Sequence, residues 1–270
     1  MVTKNIPKLL LKARTHIRAI FKKNTYKRIG MSVLLVCAAI LLVWGVIHRQ
    51  QLLFSIGDLA FGGKVAHHTF YNLQVAEVFY TLADMSSDTK IPWLNYQISR
   101  VNFIKGDFSE AIHFANKELE LYPDNCRTHY IRGLTYAYME RLDAAISDFE
   151  TFNICFPNTW AGHNDLAWFW FRKGNMQKVV DVIEPSAKKY PTNAWVQNTY
   201  GVALMNLGRY KEAEKALLLA QAAAANMTEK DWGIAYPGND PRVYRKGLDV
   251  MRKSIEANLT IIQNKKAIHK

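Results

Sequence analysis

Cysteine is scarce: Cys37, Cys126 and Cys155 are the only three in 270 residues. A scaffold built on disulfides is thereby excluded. Acidic residues are missing from the whole N-terminal stretch, the first being Asp58. No HExxH, GxSxG, CxxC or phosphate-loop pattern occurs, and His67-His68 has no matching ligands at metal spacing. His163 and Asp165 stand two apart, which on a helix keeps them from facing each other. Nothing in the sequence therefore points to an enzyme, and no cofactor or metal is expected. What is abundant is apolar and aromatic surface, 49% and 12% of the residues. That is too much for a disordered basic tail and enough for a packed core.

Bases outnumber acids by 35 to 23, a net charge of +12, but the excess is local. Residues 1–28 hold nine of the bases and no acid. From residue 29 onward 26 bases face 23 acids, only +3. A nucleic-acid binder would need a basic stripe on its body. The body here is near neutral, so neither nucleic acid nor a small-molecule substrate is an expected partner.

Directly after the basic segment, Ile29 to Ile47 (IGMSVLLVCAAILLVWGVI) carries no charge. As a helix its 19 residues span about 28 Å, against ~30 Å of hydrocarbon core. A soluble core helix rarely lacks a polar face for so long. The run is read as a single transmembrane helix over 29–49, with Trp44 near the interface. The nine preceding bases place the N-terminus in the cytoplasm and the rest on the opposite side. A cleaved signal peptide fits less well, because its charged region would be unusually long. A lipid-anchored Cys37 is disfavoured by Val36 before it. A mitochondrial presequence is the main competitor, since residues 1–28 are acid-free with an apolar stripe, yet they are lysine-rich and lack serine.

The remainder repeats. Tyr122-Pro123, Phe156-Pro157 and Tyr190-Pro191 recur every 34 residues. The same shift aligns Gly106, Glu140, Gly174 and Gly208; Phe108, Leu142, Met176 and Tyr210; Ala111, Ala145, Val179 and Ala213; and Ser99, Gly133, Ala167 and Gly201. Small residues let two helices approach, the glycine column suits a positive-φ turn, and proline ends the second helix. Each unit is thus a helical hairpin.

These columns resemble the tetratricopeptide repeat (TPR) family. Gly106–Asn125 (GDFSEAIHFANKELELYPDN) is similar to that family's turn and second helix, as is Leu207–Gln221 (LGRYKEAEKALLLAQ). The resemblance implies an all-α solenoid of about four to five hairpins. Its divisions are a basic segment (1–28), the membrane helix (29–49), a connector with a degenerate repeat (50–91), four repeats (92–225), and a loop with a capping helix (226–270). In the degenerate repeat, Tyr71–Asp84 reads as the second helix and roughly 52–66 as the first. Pro185 predicts a kink or early end of its helix. Asp240-Pro241 reads as a helix start, and Tyr244, Leu248, Met251, Ile255, Leu259 and Ile262 form one apolar face. Cys126 and Cys155 stand at neighbouring ends of one hairpin. Two separate buried thiols are the favoured reading, with a disulfide as the alternative if this part lies outside the cytoplasm.

The resemblance also implies a concave groove lined by the first helices. Carried over residue by residue, it is lined by Trp93, Tyr96, Arg100 and Phe103, then Arg127, Tyr130 and Tyr138, then Trp168 and Phe171, and finally Trp195. Aromatic side chains with arginine are what protein-binding hot spots favour. In the run Trp168-Phe169-Trp170-Phe171 at least half must be core, because four consecutive residues cover every side of a helix. The clamp of lysines, asparagines and an arginine by which some relatives grip acidic chaperone tails would fall on Tyr96, Arg100, Ile131, Ala161 and Asp165, and as a set it is absent. The expected function is a membrane-anchored scaffold that binds a peptide or helix of a protein partner. A bacterial inner-membrane complex is the favoured setting and a mitochondrial inner-membrane assembly factor the second.

Overall fold

The computed structural model describes residues 48–65, 68–85, 90–234 and 247–268, together with Cys37 and Gly45, both helical. The expected membrane run otherwise lies outside the described residues, as do the Asp240-Pro241 helix start and Tyr244. Among the described residues no helix is long and apolar enough to cross a membrane.

Helices α1 (Arg49–Ala60) and α2 (Leu73–Asp84) flank strands β1 (Phe61–Val65) and β2 (His68–Tyr71). Four regular hairpins follow: α3 (Leu94–Lys105) with α4 (Phe108–Leu121), α5 (Cys126–Tyr138) with α6 (Leu142–Cys155), α7 (Trp160–Arg172) with α8 (Met176–Lys189), and α9 (Ala194–Asn206) with α10 (Tyr210–Ala225). A short helix α11 (Glu229–Ile234) and a long helix α12 (Gly247–Ile268) close the chain, α12 packing on α10.

The repeat columns fall where their chemistry requires. Gly106, Gly174 and Gly208 take φ of 84°, 74° and 74°, and Glu140 adopts the same turn at 61°. The column Phe108, Leu142, Met176 and Tyr210 opens the second helices. The alanine column is fully buried throughout, from Ala111 to Ala213, and Ala76 of α2 joins it. Where the small column is glycine, the second helix sends the side chain four residues after its alanine-column residue against it. A Cβ at Gly133 would lie 2.6 Å from the Phe149 ring, and one at Gly201 2.7 Å from Leu217. Burying such a side chain contributes about 1.5–3 kcal/mol.

The same contact identifies the first helix of the degenerate unit. A Cβ at Gly57 would lie 2.6 Å from Tyr80, which is fully buried four residues after Ala76. The solenoid therefore has five hairpins. The expected first helix at 52–66 is corrected: it stops at Ala60, and the antiparallel pair β1–β2 replaces the tight turn. Gly62, at φ 109°, cannot continue a helix, and the small two-stranded sheet is an insertion in an otherwise all-α solenoid. Asp58 Oδ1 joins this unit to the next, accepting from Tyr80 Oη at 2.6 Å and Gln97 Nε2 at 2.8 Å.

Two further expectations change. Helix α8 continues through Pro185 to Lys189, the same length as α4 and α6. Val179, Val180, Ile183, Ser186 and Ala187 are buried along it, while Pro185 is exposed, so the Asp181 carbonyl that loses its partner is on the wet side. Cys126 and Cys155 are not separate thiols but a disulfide, with Cα atoms 6.3 Å apart. The antiparallel hairpin brings the start of α5 to the end of α6.

Two inter-repeat loops are held by the tyrosine of an aromatic-proline pair. Tyr122 Oη donates to the Lys90 carbonyl at 2.8 Å, and Tyr190 Oη to the Asn158 carbonyl at 2.5 Å. Phe156 has no hydroxyl for this and is used elsewhere. Inside the α5–α6 hairpin, Asp148 receives Arg132 through two bonds of 2.7 and 2.9 Å and lies 2.8 Å from His129 Nδ1. Burial alone would raise this carboxyl, but the Arg132 and His129 contacts outweigh it and leave it below its ordinary value.

Candidate functional site

The first helices of three successive hairpins, α3, α5 and α7, enclose a cavity of about 510 Å³. Seven predicted groove residues line it: Tyr96, Arg100, Phe103, Arg127, Tyr130, Tyr138 and Trp168. All five positions where a chaperone-tail clamp would fall, Tyr96, Arg100, Ile131, Ala161 and Asp165, face the same space. The address is that of the clamp, but the chemistry is mostly aromatic.

Most of the lining is braced. Phe103 meets Tyr138 edge to face at 5.3 Å, and Tyr138 is 63% exposed. Arg100 lies over the Phe61 ring at 4.5 Å and donates to Gln97 Oε1 at 2.8 Å, so the β1 strand fixes this cation. Tyr130 donates to Asp165 Oδ2 at 2.8 Å while its ring packs 5.0 Å from Phe149 and 4.9 Å from Phe152. Trp168 is 45% exposed, with the Arg172 guanidinium 5.0 Å away over its ring. Arg172 in turn pairs with Glu140 at 2.5 Å. Arg127 differs. It is exposed on the lining, and no carboxylate among the described residues lies within 4.0 Å of it.

Three predicted residues stand apart from the cavity. Trp93 is the N-cap of α3 at φ 74°, 42% exposed, with its ring 5.6 Å from Tyr96. Its N–H donates to the buried Glu118 Oε1 at 2.8 Å, so a carboxylate from α4 caps α3. Phe171 is 38% exposed and does not line the cavity. Trp195 does not line the cavity. Both faces of its indole are covered, by Trp160 at 5.5 Å and by Trp232 of α11 at 4.8 Å. It belongs to a ladder of three stacked indoles rather than to an open groove.

The sequence reading missed Phe152, Phe156 and Thr159, which close the cavity from the α6–α7 side. The Tyr-to-Phe change in the aromatic-proline column was the available signal for Phe156. Titratable groups do not converge as acid and base here. His163 Nδ1 faces Ser186 Oγ at 2.7 Å, away from Asp165. Among the described residues no three His, Cys, Asp or Glu side chains are placed to hold a metal.

A family model described as tetratricopeptide repeat matches residues 196–226. Solved structures extend the likeness over about two thirds of the chain. The chain matches "MamA RS-1 ArsTM double mutant" at 15% identity and a TM-score of 0.57, over 66% of this chain and 95% of that one. "Crystal structure of MamA protein" matches at 16% and 0.56, over 70% and 98%. The described chain has the tetratricopeptide-repeat fold. A third structure, "Crystal structure of YrrB: a TPR protein with an unusual peptide-binding site", matches at 17% and 0.50, over 57% and 79%. No curated protein sequence matches this chain.

Proposed function

We propose that this chain is a membrane-anchored TPR scaffold that holds a peptide or helical segment of a partner protein between α3, α5 and α7. The observation that carries the reading is the aromatic cavity with one uncommitted cation, Arg127, on its lining. Rigid aromatics give contact area at low entropic cost, and a free guanidinium selects a ligand carboxylate. YrrB, of like fold, is a TPR protein with a peptide-binding site. Anchoring rests on the uncharged run 29–47 behind nine bases. The Cys126–Cys155 disulfide supports placing the solenoid across the membrane from the basic segment, because such bonds persist in oxidising compartments. Function then comes from holding a partner close to the membrane, not from turnover.

The test is affinity capture from detergent extracts with the wild-type chain, Trp168→Ala and Arg127→Ala. Each variant is expected to keep the fold and lose a partner that the wild type retains. If both variants retain every partner, the groove reading is wrong.

A further inference from the structure

The outward face of α2 breaks the pattern of the solenoid. Val75, Val78, Leu82 and Met85 are exposed there by 38, 55, 37 and 75%. Their spacing puts them on one stripe of the helix. Alignment on the buried alanine column gives the matching positions in the other hairpins. Val78 stands where α4, α6, α8 and α10 carry His113, Ser147, Asp181 and Lys215. Val75 stands where α4, α8 and α10 carry Glu110, Lys178 and Glu212. Among these outward positions in the later hairpins, only Ile154 and Leu219 are large and apolar. An outward face that meets water is mostly polar: at these four positions α4 and α8 carry no large apolar residue and α6 and α10 carry one each, Ile154 and Leu219, whereas the first hairpin carries four.

Charge on α2 points the same way. Its two carboxylates are both neutralised from other helices, Glu77 by Lys105 at 2.6 Å and Asp84 by Lys117 at 2.8 Å. The helix therefore offers an apolar stripe without a free anion. Its place in the chain completes the argument. Helix α1 begins at Arg49, two residues after the uncharged run ends at Ile47. Twelve helical residues cover about 18 Å, so the α1–α2 hairpin is the one unit tethered within reach of the bilayer surface.

We infer that the outward face of α2 rests on the lipid surface, with Val75, Val78, Leu82 and Met85 entering the headgroup–acyl boundary. The inference rests on the membrane anchoring proposed above. Docking of this hairpin fixes the orientation of the solenoid relative to the membrane, which a tether alone would leave free.

The experiment uses the full chain in a Cys37→Ser background, its disulfide kept oxidised. Val78→Cys and Met85→Cys, and separately Ser147→Cys as the outward control on α6, carry an environment-sensitive fluorophore. The protein is reconstituted into vesicles of phosphatidylcholine and phosphatidylglycerol containing a shallow nitroxide lipid. The α2 probes should shift to the blue and lose about half or more of their emission to the nitroxide, while the Ser147 probe loses little. Equal, weak quenching at all three sites overturns the docking. So does an α2 probe that is shielded from an aqueous quencher but not quenched by lipid, since protein then covers the stripe. Alkaline extraction separates the two proposals. A chain that resists extraction with unquenched probes keeps the anchor and loses the docking. A chain that is extracted loses the anchor, and the probes still decide the docking.

Discussion

The groove has two halves that share helix α7. Toward the N-terminus, α7 turns Asp165 and Trp168 into a cavity of about 510 Å³. Toward the C-terminus, the same helix gives Trp160 to a stack that Trp195 and Trp232 complete. Both halves use first-helix positions that the repeat assigns to the concave surface. One half keeps its aromatics wet and the other spends them on packing. The difference lies outside the repeat: α11 supplies Trp232, and it packs so tightly under the next element that a Cβ at Gly247 would lie 2.1 Å from its Nε1. A repeat position sets where a side chain points, and the neighbouring segment sets whether anything is left to bind it.

That contrast can be attacked from the largest effect down. The open half is stapled by the disulfide beside Arg127, Phe152 and Phe156. For the 29-residue separation, chain entropy gives a stabilisation of about 3–4 kcal/mol. Cys126→Ser with Cys155→Ser should lower the urea midpoint accordingly, and partner retention should fall with it. An unchanged midpoint would mean that the bond does not form in the protein. Next, Trp195→Ala should cost about 3 kcal/mol by opening the ladder, while Trp168→Ala should cost less than about 1 kcal/mol and remove the partner. Equal losses of stability for the two tryptophans would erase the distinction between the halves.

The smallest effect is on α7 itself. Burial first, and the positive charge of Lys189 second, hold the His163 imidazole below its ordinary value. In the window between that depressed value and the ordinary one, the folded chain binds fewer protons than the unfolded chain. Stability is therefore present above the window and is lost as pH falls through it. His163→Gln should flatten this mildly acid decline in denaturation measured across pH. Asp148, held low by Arg132 and His129, loses its contribution only at lower pH. A decline that survives in His163→Gln would assign it to another group.

Much of this was legible because the repeat writes its contacts at fixed spacing. The turn column, the alanine column and the proline stops all landed on their elements, and Glu140 took the positive φ despite its side chain. Seven of the ten proposed groove residues meet at one cavity for the same reason. The failures are where the period breaks. Gly57 does the work of Gly133 and Gly201 but stands 42 residues before Ser99, because β1–β2 is inserted between α1 and α2. A shift of 34 cannot find it. Trp195 was placed by its repeat position, which carries no information about α11 and its Trp232. The cysteines were read as separate since nothing in a spacing of 29 distinguishes two thiols from a bond.

The disulfide has a mechanical consequence. It closes inside one hairpin, so it ties no unit to its neighbour and leaves the solenoid as extensible between units as it would be without it. Pulled from its two ends, the chain can surrender the other hairpins one after another. The α5–α6 hairpin would still withhold the chain between its cysteines, a separation of 29 residues and about 100 Å of contour. A stretched molecule thus keeps one closed link, and that link carries Arg127, Tyr130 and Phe152.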